Sequence, residues 1–158
     1  MNIFTKIVAA ASFMIAAVGF STPSEAGFFT SFAPQPSVTA KVSLSKQVMV
    51  VDVRDRRGDK QRFVWNVSTG KSGFETPKGQ WRPRWLAIDH KSSQYDDAPM
   101  PYSVFFVGGY AVHGTDATSK LGQPASHGCV RLAQNNAATF YKLVEAYGKS
   151  NTKIIVTD

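Results

Sequence analysis

The 158-residue chain is predicted to fold as a mainly β domain, and three observations carry that prediction. Short runs rich in β-branched and aromatic residues recur along it, glycine- or proline-marked turns separate them, and only one stretch has a helical period. Many short strands, tight turns and a single helix near the C-terminus indicate a sandwich or a partly open barrel.

The elements follow in order. Lys6, the apolar stretch from Ile7 to Phe20 and the small-residue site Ser24-Glu25-Ala26 read as a cleaved secretory signal peptide, residues 1–26. The stretch is short for a bilayer, and Pro23 and Glu25 follow at once, so no integral membrane span is expected after cleavage. From 27 to 38 the phenylalanines, Pro34, Pro36 and serines show no period, which predicts a linker or loosely docked arm ahead of one domain, residues 39–158.

Val42 to Val53 reads as a strand. It pairs with a second, Gln61 to Val67, across the charged tip Arg54-Asp55-Arg56-Arg57-Gly58-Asp59. Gly-Asp at such a turn explains the Arg57-Gly58-Asp59 tripeptide without a further function. Ser68-Thr69-Gly70-Lys71-Ser72-Gly73 and Thr76-Pro77-Lys78-Gly79 are turns, and the first lacks the spacing of a phosphate-binding loop. Pro83 places the strand after it at a sheet edge or bulge. Ser92 to Tyr102, polar and proline-punctuated, reads as a loop suited to cover a cleft. Ser103–Val107 and Ala111–His113 read as buried strands joined at Gly108-Gly109. The helix is expected from Asn135 to Tyr147, with Phe140, Leu143, Val144 and Tyr147 on one face, Asn135 or Asn136 as N-cap and Gly148 as C-cap. Lys153 to Thr157 closes the chain as a strand.

Charge and cysteine count bound the function. The leader holds one base, Lys6, and one acid, Glu25, so the mature chain keeps the net charge of +7. That balance suits an anionic partner, wall polymer or membrane surface, and an exported protein is not expected to meet nucleic acid. The single cysteine, Cys129, has no intramolecular disulfide partner, so it is a buried filler, an intermolecular link or a reactive thiol.

Its neighbours favour a reactive thiol. Cys129 lies in Ser126-His127-Gly128-Cys129-Val130-Arg131, 16 positions after His113-Gly114-Thr115. A thiol attacks carbonyls as thiolate, and its ordinary pKa near 8.5 requires a base or a main-chain dipole to activate it. Two histidines are available. His127, two residues away, shares a side with Cys129 only on an extended segment, whereas His113, at the end of an apolar strand, is the better base. Gly128 permits a sharp turn that aims main-chain N–H groups at a developing oxyanion. The tautomer of the base needs a partner, either Asp116 or a main-chain carbonyl. His90 stands outside both motifs and has a packing or solvated role.

His113-Gly114-Thr115, Leu121-Gly122, Pro124-Ala125 and Ser126-His127-Gly128-Cys129-Val130-Arg131-Leu132 together resemble the signature of the bacterial L,D-transpeptidase catalytic domain. Val67-Ser68-Thr69-Gly70-Lys71, Thr76-Pro77-Lys78-Gly79 and Met100-Pro101-Tyr102 resemble that family's turns in its order. The resemblance implies a β-sandwich-like enzyme, located in the periplasm or cell envelope, that cleaves and rejoins peptidoglycan stem peptides with no metal or organic cofactor. It implies Cys129 as nucleophile and His113 as proton acceptor and donor, held by the carbonyl of Gly114. His127, Gly128 and Cys129 would supply oxyanion donors, Ser126 and Tyr102 would meet substrate, and Arg131 would contact substrate or anchor the loop.

The acyl acceptor stays open. Another stem gives a 3→3 cross-link, a free D-amino acid gives exchange, an envelope protein gives anchoring, and water makes an L,D-carboxypeptidase. Two other classes use the same residues. His113, His127 and Cys129 are three ligands for a catalytic zinc, although the spacing matches no familiar zinc motif. A non-enzymatic wall-binding protein would instead stack Trp81, Trp85, Tyr95, Tyr102 or Tyr110 on sugars.

Overall fold

Residues 34–158 are described by the computed structural model; the expected leader and residues 27–33 of the expected arm lie outside the described residues. Two sheets and one main helix form the domain, the mainly β architecture that the sequence predicts. The five-stranded sheet runs β3-β2-β1-β9-β4, where β1 is Ser37–Ser43, β2 Val48–Arg54, β3 Lys60–Asn66, β4 Gly79–Trp81 and β9 Thr152–Thr157. The four-stranded sheet runs β5-β6-β7-β8, with β5 Trp85–Lys91, β6 Pro99–Val107, β7 Tyr110–Thr115 and β8 Val130–Ala133. Helix α1, Gln134–Tyr147, follows β8 without a break.

Alternation builds the core. In β1 and β2 every second residue, Val38, Ala40, Val42 and Met49, Val51, Val53, is buried, and Ile154 and Val156 continue that face in β9. Val104, Phe106, Val112, Val130 and Leu132 of the second sheet and Ala137, Phe140 and Val144 of α1 close the same cluster. A period of two on the strands and 3.6 on the helix is what lets one chain present these side chains to a single interior.

Three expectations change at this level. The segment Val42 to Val53 is two strands, β1 and β2, turned at Leu44–Gln47, and β1 begins at Ser37, inside the expected arm. This turn has no glycine or proline. Gln47 takes a φ of 50° and clamps the turn from within, donating to the Leu44 carbonyl (2.7 Å) and to Thr69 Oγ1 (2.6 Å) while Oε1 accepts the Thr69 N–H (2.9 Å). The charged hairpin tip forms as expected, with Asp55 Oδ1 accepting the N–H groups of Arg57 and Asp59.

The loop expected over Ser92 to Tyr102 is only Ser92–Ala98, because Pro99 and Pro101 belong to β6. There β6 pairs with β5 alone, and β7 joins it only from Val104 onward. Prolines, which lack an N–H, are accommodated where one strand edge is unpaired. Tyr102, at φ 55°, marks the change.

The helix carries Ala133, not an asparagine, at its N-cap, with no side-chain cap, and Asn135 and Asn136 lie inside its first turn. Gly148 ends it at φ 85°, as expected.

Candidate active site

The second sheet has two faces, and the site occupies the one turned away from the main core. In β7, Val112 points into the core while Ala111 and His113 take the other side, and in β8 Val130 and Leu132 point inward while Arg131 does not. Cys129 joins that outer face, packed with Met100, Phe105 and Ala111. β7 and β8 run parallel with His113 opposite Arg131. Cys129 is therefore offset from His113 by about one strand spacing (~4.8 Å) and two residues (~6.6 Å). A parallel pair needs a long crossover, and the crossover 116–129 delivers the cysteine.

His113 is buried at 5% exposure, within β7 rather than at its end. Its Nδ1 lies 2.8 Å from the Gly114 carbonyl, which can only accept, so Nδ1 carries the proton and Nε2 keeps its lone pair. Asp116 does not serve as the orienting partner, because its carboxylate accepts from Gln134 Nε2. Burial pushes the imidazole down to about 4, against the pull of the Gly114 carbonyl, and the charges of Arg131 and His90 lower it further. Gly114 is closely packed: a Cβ there would lie 3.1 Å from Pro101 Cγ and 3.2 Å from Gln134 Cα, so the neighbours would have to give by a few tenths of an ångström.

Burial raises the Cys129 thiol above its ordinary value, and the Ala111 N–H and Arg131 counteract only part of that. The resting pair is a neutral thiol beside a neutral imidazole. Its Sγ is 4.0 Å from the Gly109 carbonyl.

The loop before Cys129 is held from several sides. Gly128 has φ 109°, which L side chains rarely adopt, and a Cβ there would meet Tyr110 Cε1 at 2.3 Å, so only glycine fits. Ser126 Oγ donates to the Cys129 carbonyl (2.6 Å) and accepts the Gly128 N–H (3.0 Å). Thr76 Oγ1 donates to the Gly128 carbonyl (2.8 Å) and accepts the Gly70 N–H (2.9 Å), while Ser68 and Arg131 exchange main-chain bonds. The glycine-containing turns thus brace the cysteine loop from behind.

The expected site residues separate accordingly. His113, His127, Cys129 and Arg131 line one cleft of about 470 Å³, together with Tyr95, Tyr110, Asp116 and Gln134. Arg131 also reaches the Ala125 carbonyl at 3.5 Å, so it faces the cleft and tethers the loop. Ser126, which the resemblance places at substrate, is fully buried, and both bonds of its hydroxyl are internal to the loop. Tyr102, which the resemblance also places at substrate, packs its ring edge-on against Tyr141 of α1 and is not among the residues lining this cleft. Gly128 is not a free oxyanion donor, because Ser126 holds its N–H. Among the described residues, the N–H groups of His127 and Cys129 have no internal acceptor.

Thr76, Tyr95 and Tyr110 went unassigned to the site in the sequence, where only a threonine before a proline turn and tyrosines in loops were visible. Tyr95, in the loop between β5 and β6, stacks on His127 at 4.5 Å, and Phe74 meets the same imidazole edge-on at 4.6 Å. Among the described residues no three His, Cys, Asp or Glu side chains converge as metal ligands, so His113, His127 and Cys129 do not form the set a zinc site would need. Of the aromatics considered for sugar stacking, Trp81 packs on Phe106, while Trp85 is partly exposed, stacked on Phe105.

The family model of the YkuD L,D-transpeptidase catalytic domain matches residues 37–156. Among solved structures, an L,D-transpeptidase from Mycobacterium tuberculosis H37Rv is similar at a TM-score of 0.66 and 24% identity, over 78% of this chain and 58% of that one. An L,D-transpeptidase from Mycobacterium smegmatis is similar at 0.64 and 22%, over 78% and 59%. One from Stackebrandtia nassauensis is similar at 0.65 and 25%, over 85% and 62%. The chain thus spans about three fifths of the length of the solved proteins it matches. No curated protein matches it.

Proposed function

The chain belongs to the L,D-transpeptidase catalytic-domain family, and on that premise we propose that it is an exported, cysteine-dependent acyltransferase acting on peptidoglycan stem tetrapeptides. One observation supports this most: Cys129 and the buried His113, with Nδ1 fixed by the Gly114 carbonyl, share one face of a sheet and one cleft.

The chemistry follows from neutral partners. As Cys129 Sγ approaches the carbonyl carbon of the third stem residue, its proton passes to Nε2 of His113, the nitrogen of that ring that keeps its lone pair. The oxyanion points toward the unpartnered N–H groups of His127 and Cys129. Collapse breaks the peptide bond, His113 returns the proton to the departing amine of D-alanine, and a thioester remains on Sγ. An incoming amine then gives its proton to His113, attacks the thioester and restores the thiol. A second stem as acceptor forms the 3→3 cross-link; a D-amino acid or an envelope protein would be acylated by the same step, and water would release the acyl group as a carboxypeptidase does.

The test is intact mass of the full chain after exposure to stem tetrapeptide. The adduct expected has the mass of the tetrapeptide minus D-alanine, absent in Cys129→Ala and formed about 10² to 10⁴ times more slowly in His113→Ala. An adduct that persists in Cys129→Ala overturns the assignment. Mass analysis of wall fragments after incubation then identifies the acceptor.

A further inference from the structure

The outer face of the five-stranded sheet carries a charge pattern that the reaction does not use. Register sets three cross-strand rows on that face. They are Ser37–Arg54–Lys60, then Lys153–Thr39–Asp52–Arg62, then Ile155–Lys41–Val50–Val64. Five cations therefore share it with one carboxylate. Asp52 is already taken by Arg62 at 2.6 Å and approached by Lys41 at 3.9 Å. Arg54, Lys60 and Lys153 have no ion-pair partner among the described residues. Arg54 and Lys60 stand directly opposite each other, an arrangement that disfavours the strand pair and gains nothing for the fold.

Shape adds to charge. Lys41, Arg54, Lys60 and Arg62 surround a trough of about 430 Å³ that also presents the hydroxyls of Ser37 and Thr39, and Lys153 stands beside it on the same face, opposite Thr39. Asp52 also lines the trough, but Arg62 and Lys41 take up its charge, so the cations left over at the rim, with hydroxyls between them, complement a chain that bears carboxylates spaced among amides and hydroxyls.

We propose that this basic trough is a second binding site, which holds a carboxylate-bearing peptidoglycan strand on the side of the sandwich opposite Cys129. The inference rests on the reading of the cleft as a wall-stem enzyme. It adds that the molecule grips one strand with its first sheet while the second sheet reacts with another.

Co-sedimentation of the full chain carrying Cys129→Ala with purified insoluble peptidoglycan tests it apart from catalysis. The triple variant R54E/K60E/K153E should bind about tenfold more weakly or worse, with a shallower salt dependence, as expected when cationic contacts are lost. The triple variant K46E/R82E/K142E, with the same change of charge on other exposed residues, should stay within about twofold. In chains that retain Cys129, both triples should acylate soluble tetrapeptide as the parent does. If charge reversal disturbs the strands, R54Q/K60Q/K153Q carries the same expectation. Equal weakening by the two charge-reversal triples, unchanged binding in the trough variant, or equally tight binding to phosphatidylglycerol vesicles or duplex DNA overturns the proposal. Failure of tetrapeptide acylation with wall binding intact would instead sink the reaction assigned to Cys129 and leave the trough standing.

Discussion

At His113 the decisive quantity is the cost of burying a charge. With its imidazole brought down to about 4 from an ordinary 6.5, the ring is neutral across the physiological range. The acid limb of kcat/KM for tetrapeptide should therefore fall near pH 4 and not near 6.5, which a pH–rate profile checks. The same shift links to stability. A folded pKa below the unfolded one means that the fold prefers the neutral ring, so its contribution is complete above about 6.5 and fades as pH drops toward 4. About 3 kcal/mol is at stake. Denaturant unfolding of the parent should lose that much over this window, and His113→Asn should flatten it; an unchanged difference between the two chains would contradict the burial argument. That Cys129 and His113 share one cleft was legible in the sequence because the motif places them next to glycines whose purpose is local. The packing of Ser126 and Tyr102 was not legible, because a hydroxyl in such a motif looks the same in sequence whether it faces solvent or closes a turn.

The elements around the cysteine act as a brace, and the glycine at their centre separates two causes of strain. Gly128→Ala should lower stability through both its φ of 109° and the 2.3 Å approach to Tyr110. Tyr110→Ala in the same chain removes the clash and leaves the backbone strain, of order 1–3 kcal/mol. Full recovery of the thermal midpoint in the double variant, relative to Tyr110→Ala alone, would show that space was the only constraint. The loop Ser92–Ala98 reaches the cleft through Tyr95, which stacks on His127. Tyr95→Ala should raise KM for tetrapeptide severalfold with little change in kcat, because it removes an aromatic contact of about 0.5–1.5 kcal/mol that steadies His127. A fall in kcat with KM unchanged would place the effect on the oxyanion donors instead. These elements were visible in sequence as turns and a polar loop. Their shortening and the split of β1 from β2 were not, since Gln47 holds its turn through Thr69, 22 residues away, and Pro99 and Pro101 are tolerated only by an unpaired edge that topology creates.

On the scale of the whole molecule the two ends of the described chain meet. β9 lies parallel to β1 and antiparallel to β4, so the last residues are the inner strand that joins the first sheet's halves. Ile154 and Val156 are essentially fully buried there. Their burial alone accounts for about 3–6 kcal/mol, and the lost ladders add further cost, against a total stability of about 5–15 kcal/mol for a domain of ordinary size. Deleting residues 152–158 should therefore abolish the cooperative unfolding transition rather than fray one edge. The site would go with it although no site residue is touched, because His113 and Cys129 are aimed by a sheet whose other face packs on that same core. Calorimetry of the truncated chain, beside its acylation by tetrapeptide, checks both halves of the expectation. A truncated chain that still melts within a few degrees of the parent would mean that the second sheet and α1 are stable by themselves, and that the basic trough and the catalytic cleft belong to separable units.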